Sequence, residues 1–219
     1  KIWNYRNRIQ LHVDSKGQVG FYRPNSKEVV EFDECAIAED KLNHELQINR
    51  AEFSKRDRGI ALRLNKDDES FAQINTGQNE NLKKLIVEWL KDRPNEVICE
   101  FHAGSGNFTF ELAKIAKRVV ASDIDGRAIK AAIEKQKKMD VHNIEFICAP
   151  ANRATKRLNG SCDAALVDPP RKGCAEAIDT IITLKPKTIL YISCDPATLA
   201  RDISTLAAHG FELIKTLPI

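Results

Sequence analysis

The sequence predicts an α/β fold: an open, doubly wound (Rossmann-like) parallel sheet preceded by a small antiparallel β-rich domain. Three observations carry this. From Val97 onward, short apolar β-branched runs alternate with amphipathic helical stretches across short loops, the pattern of a mostly parallel sheet covered on both faces. Before residue 69 the chain instead carries short alternating runs separated by turn residues, as antiparallel hairpins do. A glycine turn, three aspartates and a cysteine fall at the ends of successive predicted strands, where open α/β sheets gather ligands.

In chain order, Tyr5–Val13 alternates as YRNRIQLHV, and Val19–Tyr22 and Val29–Phe32 read as further short strands, with turns at Gly17 and Pro24-Asn25-Ser26. A helix is expected near Asp40–Ile48. The charged stretch Glu52–Glu69 holds one strand candidate, Ile60–Leu64, and the boundary is set there, giving domains 1–68 and 69–219. Leu82, Leu85, Ile86, Trp89 and Leu90 form a helical apolar stripe ended by Arg93-Pro94-Asn95. Strands follow at Val97–Phe101, Val119–Ser122, Ile144–Cys148, Ala164–Val167, Thr188–Ile192 and Phe211–Leu217. Helices are expected at Phe108–Ala116, Arg127–Met139, Cys174–Leu184 and Ala197–Ala208.

Bulk properties narrow the class. The chain has 219 residues, of which 42% are hydrophobic and 30% charged, and no apolar run approaches the length that spans a bilayer. It starts at Lys1 rather than Met and is expected to be a piece of a longer protein. Six cysteines (35, 99, 148, 162, 174, 194) show no CxxC spacing, which favours reduced cytosolic thiols and argues against a zinc site built from this chain alone. The net charge is only +3, but Arg6, Arg8, Lys16, Arg23 and Lys27 cluster early, and Arg50, Lys55, Arg56 and Arg58 form a second group. Such an amino-terminal sheet suits a phosphate backbone, although a basic run is more often a solvated face.

Four strand ends carry the chemistry. After Phe101 comes His102-Ala103-Gly104-Ser105-Gly106-Asn107, where two glycines allow a tight turn and close approach of a ligand. It lacks the third glycine of the dinucleotide fingerprint and the Gly-Lys-Ser/Thr of a P-loop. The next strand ends at Asp123, placed to accept from the two hydroxyls of a ribose; Asp125 better suits the cap of the following helix. Asp168-Pro169-Pro170-Arg171-Lys172-Gly173 stiffens the exit of the fourth strand and adds two cations. The fifth strand stops at Ser193-Cys194-Asp195-Pro196, with Asp195 fitting an N-cap and Pro196 the first helical position. Cys194 therefore sits at a strand-to-helix turn. The helix dipole there favours thiolate and the adjacent aspartate opposes it, while a small buried hydrophobe is the commonest alternative for such a cysteine.

FAQIN (Phe71–Asn75), HAGSGNFTFELA, DPPRKG and YISCDPATLARD together resemble the RNA (uracil-5-)-methyltransferase family. The similarity runs from about Phe71 to Leu217 and is weaker over YRNRIQLHV, VGFYRP and ECAIA. It implies a methyltransferase sheet that binds S-adenosylmethionine, with Gln73, His102, Asn107, Asp123 and Asp168 around it and Gly104 and Gly106 shaping the loop. It also implies Cys194 as nucleophile. His102 stands where an aromatic Phe or Tyr is the family's pattern, and Asp195 where Asn is the more familiar residue. It further implies a monomeric cytoplasmic enzyme, with no membrane partner, that makes 5-methyluridine in rRNA or tRNA.

The resemblance explains the thiol. Carbon 5 of uracil is too weak a nucleophile to take a methyl group directly, so a thiolate must first add to carbon 6, and a base must later remove the carbon 5 proton. A thiol of ordinary pKa, about 8.5, is only a few per cent ionised at neutral pH, so the site must favour thiolate. The family's proton-removing Glu lies beyond the last strand, in a segment with no counterpart here, and a closing strand of the sheet is expected to be missing with it. Many relatives hold an iron–sulfur cluster on three closely spaced upstream cysteines plus one near Cys35. Those three are absent from this sequence, so a cluster belongs at most to a longer protein and no metal ligand is assigned. Two other readings stay open at this point: a nucleic-acid N-methyltransferase, disfavoured because Arg171 replaces an aromatic after the two prolines, and a non-catalytic RNA-binding protein that retained the fold.

Overall fold

The computed structural model describes residues 2–56, 59–63, 73–94, 96–158 and 161–219. The chain divides into two compact units, Lys1–Asn81 and Leu82–Ile219. The expected boundary after residue 68 falls in 64–72, outside the described residues, as do Arg58, Leu64 and the Phe71-Ala72 start of FAQIN.

The first unit is a four-stranded antiparallel sheet with one long helix. Strands β1 (Arg8–Val13), β2 (Val19–Tyr22), β3 (Val29–Glu31) and β4 (Ile60–Arg63) pair in the order β3-β2-β1-β4. Alternation sends Ile9, Leu11, Val19, Ile60 and Leu62 to one face, where they bury against Leu42, Leu46 and Phe53 of α1 (Asp40–Phe53). The register sets Arg8 opposite Arg63 on the other face, with Gln10 opposite Ala61. His12 and Tyr22 stack there with ring centroids 3.6 Å apart. Helix α2 (Thr76–Leu90) starts earlier than its apolar stripe suggested, because Asn75 caps its first turn by accepting from the Gln78 backbone N–H.

The second unit is a five-stranded parallel sheet in the order β7-β6-β5-β8-β9, formed by β5 (Val97–Phe101), β6 (Arg118–Asp123), β7 (Ile144–Cys148), β8 (Ala164–Val167) and β9 (Thr188–Tyr191). Period-two alternation covers both faces. Cys99, Phe101, Val120, Ala165 and Val167 pack with α6 (Ala175–Leu184) on one side. Ile98, Val119 and Leu166 pack with Ile86 and Leu90 of α2 on the other. Helix α4 (Gly126–Lys138) is capped by Asp125, whose carboxylate accepts from the Arg127 and Ala128 N–H groups, as expected. The strand order reverses between β5 and β8, so the ligand crevice of such a sheet lies at their carboxyl ends.

Two expectations are corrected. The helix foreseen over Phe108–Ala116 is only α3 (Thr109–Leu112), with turns on either side, and a further short helix, α5 (Ala151–Ala154), was not foreseen. Phe211–Leu217 is not a strand. Helix α7 (Pro196–Ala208) ends in a left-handed Gly210 (φ +90°), whose N–H bonds to the Ala207 carbonyl while the Phe211 N–H bonds to that of Leu206. Phe211 then packs on the core, but the residues after it are exposed. Alternating apolar residues encode the propensity for a strand and not a ladder partner, and no described strand lies beyond β9.

Candidate active site

The glycine turn is held in shape by Asp123. Its Oδ2 accepts from the Gly104 N–H at 2.9 Å and its Oδ1 from the Asp125 N–H at 2.8 Å, so one side chain at the end of β6 fixes the loop after β5. The Ala103 N–H bonds to the Ser122 carbonyl at 3.0 Å beside it. His102, Gly104 and Gly106 all have positive φ. The two glycines face different surroundings. A Cβ on Gly106 would lie 2.8 Å from the Phe110 ring, whereas one on Gly104 would meet nothing within 4 Å. Gly106 is therefore fixed by packing and Gly104 opens on free space.

A buried acid lies beneath this turn. Glu100, 1% exposed near the end of β5, accepts from Thr109 Oγ1 at 2.5 Å. Burial pushes its carboxyl up to about 8; the Thr109 bond opposes this, and the charges of Asp168 and Asp123 add to the rise. Three carboxyl groups thus share the carboxyl ends of β5, β6 and β8; Glu100 holds its proton below about pH 8, which leaves the charges of Asp123 and Asp168 to attract a cation. His102 is held below its ordinary pKa by burial, against the pull of Asp123 and Glu176.

Cys194 is exposed on the turn between β9 and α7. The local geometry matches expectation. Asp195 caps α7, its Oδ1 accepting from the Thr198 N–H at 2.8 Å, and Pro196 begins the helix. The Thr198 backbone bond, more than any other influence, holds the Asp195 carboxyl below its usual range. Ser193 Oγ donates to the Asp195 carbonyl and accepts from its N–H, which closes the turn on the other side. Cys194 is thus carried by a structured loop and is not packed in the core.

Of the residues singled out from the sequence, Gly104 and Asp123 are directly bonded, and His102 and Asp168 belong to the same electrostatic cluster through Asp123 and Glu100. Asn107 is half-buried on the glycine turn. Gln73 lies in the first unit, where its carbonyl accepts from Asn7 Nδ2 at 2.9 Å. Glu100 was not singled out, although a charged residue inside the buried run VICEF was the available signal. Cys35 is tied by its backbone to the Asn43 side chain, and among the described residues no three His, Cys, Asp or Glu side chains group so as to hold a metal ion. No described helix is long and apolar enough to cross a membrane.

A parallel sheet with reversed strand order, a glycine turn locked by an aspartate and acids at successive strand ends defines an α/β domain of the nucleoside-cofactor-binding class. The family profile of tRNA (Uracil-5-)-methyltransferases matches residues 32–214, and the chain belongs to that family. An uncharacterized RNA methyltransferase of Bdellovibrio bacteriovorus is 30% identical over 97% of this chain and 58% of its own length. A 23S rRNA (uracil(1939)-C(5))-methyltransferase of Shewanella sediminis is 35% identical over 70% of this chain and 35% of its own. The chain thus spans about a third to three fifths of these relatives. The crystal structure of the Pyrococcus abyssi tRNA (uracil-54, C5)-methyltransferase in complex with S-adenosyl-L-homocysteine shares the fold, with a TM-score of 0.73 at 23% identity over 94% of this chain and 70% of that one.

Proposed function

We propose that this chain carries the catalytic domain, residues 69–219, of an enzyme that methylates carbon 5 of uracil in rRNA or tRNA. The single observation that carries the reading is the exposed Cys194 thiol on a capped turn of the same sheet edge that presents the Asp123-locked glycine loop. S-adenosylmethionine, when bound, supplies an electrophilic methyl group on a positively charged sulfur. The acids Asp123 and Asp168 suit that charge, the open side of Gly104 gives room beside the backbone, and Asp123 offers its remaining lone pairs to ribose hydroxyls. His102 and Asn107 are assigned to the same ligand.

Cys194 thiolate adds to carbon 6 of the uracil ring, which pushes electron density onto carbon 5 so that it can be methylated. A general base, for which the resemblance assigns no residue of this chain, would then take the carbon 5 proton, so that the carbon 6–sulfur bond breaks and the ring and the thiolate are restored. A uridine must leave its stack to reach the turn, which favours loops or a flipped base. The face of the first unit with Arg8, Arg63 and the stacked His12–Tyr22 pair supports an RNA partner, because cations meet phosphates and rings stack on bases. A cytoplasmic, monomeric enzyme belongs to the same proposal. Incubating the intact protein with methyl-labelled S-adenosylmethionine and RNA, then digesting to nucleosides, tests the reading. Label in 5-methyluridine is expected; label on an exocyclic nitrogen overturns it.

A further inference from the structure

The proposed nucleophile and the loop bearing Asp168 approach from different strands, yet one buried carboxylate ties them together. Asp202 lies in α7, two turns after the cap residue Asp195, and is 3% exposed. Its Oδ2 accepts from Tyr191 Oη at 2.6 Å, at the end of β9. Its Oδ1 takes Arg201 Nε at 2.9 Å and Nη2 at 2.8 Å. The Cys174 backbone N–H also donates to it. Arg201 Nη2 reaches the Lys172 carbonyl at 3.4 Å, and Cys174 Sγ lies 3.7 Å from Tyr191 Oη.

Three segments therefore converge: the loop 168–174, the end of β9 and the first half of α7. Cys194 sits on the only connection between the last two. Gly173 completes the junction, because a Cβ there would lie 2.1 Å from Arg201 Nη2 and 3.0 Å from Asp202 Oδ2, at φ +80°. Burial alone would favour a neutral Asp202, but the bonds from Tyr191 and Arg201 hold it ionised. A buried charge so fully bonded has few alternative arrangements, since shifting any one segment leaves a polar group unpaired. None of these side chains is needed as acid, base or nucleophile.

We infer that Asp202, with Tyr191 and Arg201, is a positioning residue that fixes the Cys194 turn against the loop carrying Asp168, setting the distance between attacking thiol and methyl donor. The inference rests on the proposed role of Cys194. A misplacement of about 1 Å at a reacting atom is enough to slow a reaction about a hundredfold, so a loosened junction acts on rate more than on binding.

The test uses Tyr191→Phe, which removes one hydroxyl, and Asp202→Asn and Asp202→Ala, with Cys194→Ala as control, all in the intact protein. Three quantities are read: binding of S-adenosylmethionine by calorimetry, single-turnover methylation of RNA, and alkylation of Cys194 by iodoacetamide followed by peptide mass spectrometry. Turnover of folded protein is expected to fall about tenfold in Tyr191→Phe and further in Asp202→Ala, with Asp202→Asn between them. Cofactor affinity and the pH profile of alkylation should stay within about twofold of wild type. If Tyr191→Phe and Asp202→Asn keep wild-type single-turnover rates, or lose activity only in proportion to unfolded protein, the inference is overturned while the role of Cys194 stands. If Cys194→Ala retains turnover, the underlying reading fails instead.

Discussion

Two aspartates organise the carboxyl edge of the parallel sheet, and they do so in opposite ways. Asp123 is half-buried and accepts from two backbone N–H groups, Gly104 and Asp125, so its remaining lone pairs can meet a ligand. Asp202 is buried and spends its oxygens on Tyr191, Arg201 and the Cys174 N–H. On the proposed reading the first shapes a surface that binds and the second fixes a surface that reacts. The same functional group serves either purpose, and what separates them is how much acceptor capacity the protein itself consumes.

Breaking the first member has the largest expected effect on cofactor binding. Asp123→Ala frees the Gly104 N–H and removes the proposed ribose acceptor, so the affinity for S-adenosylmethionine should fall about thirty- to hundredfold by calorimetry, for a loss of about 2–3 kcal/mol. Unchanged affinity would move the cofactor away from β6.

The two glycines sharpen the contrast between a residue that packs and one that faces a ligand. Gly106→Ala incurs both a left-handed backbone and a clash with Phe110, and should lower stability by about 2–4 kcal/mol in denaturant unfolding. Gly104→Ala incurs only the backbone penalty, about 1–2 kcal/mol, but should weaken cofactor binding by more than its stability loss predicts. Equal losses in both assays for the two variants would remove the distinction.

The last effect concerns the buried acid of β5, Glu100. Glu100 holds its proton in the folded state up to about pH 8 against an ordinary value of 4.5. Below 4.5 both folded and unfolded chains are protonated; between 4.5 and 8 only the unfolded chain releases the proton, so stability falls as pH rises and the loss is complete above 8. Glu100→Gln keeps an acceptor for Thr109 without the proton, and its stability in denaturant unfolding should gain on wild type across that window, by about 1–3 kcal/mol at pH 8.5. A variant that tracks wild type at every pH would mean that Glu100 titrates near its ordinary value.

Much of this edge was legible in the sequence because strand-to-helix turns are local. The Asp195-Pro196 cap, the Asp125 cap and the alternation of strands with helices each follow from a few adjacent residues. What escaped depends on residues far apart in the chain. Asp202 falls on the apolar stripe of α7, spaced three after Leu199 and four before Leu206, yet a lone charge there gives no hint of Tyr191 or of the Cys174 N–H. Glu100 likewise interrupts a buried strand, and its consequence appears only once Asp123 and Asp168 are brought beside it. Phe211–Leu217 has the alternation of a strand without a neighbour to bond, so propensity alone misled.

The role of Cys194 is tested most directly by trapping. With RNA carrying 5-fluorouridine and S-adenosylmethionine, fluorine replaces the proton that must leave carbon 5, so the carbon 6–sulfur bond should persist. The intact protein should run as a covalent RNA adduct whose peptide maps to Cys194, and Cys194→Ala should give none. An adduct that survives that substitution, or maps to the other exposed cysteine, Cys148, would contradict the account.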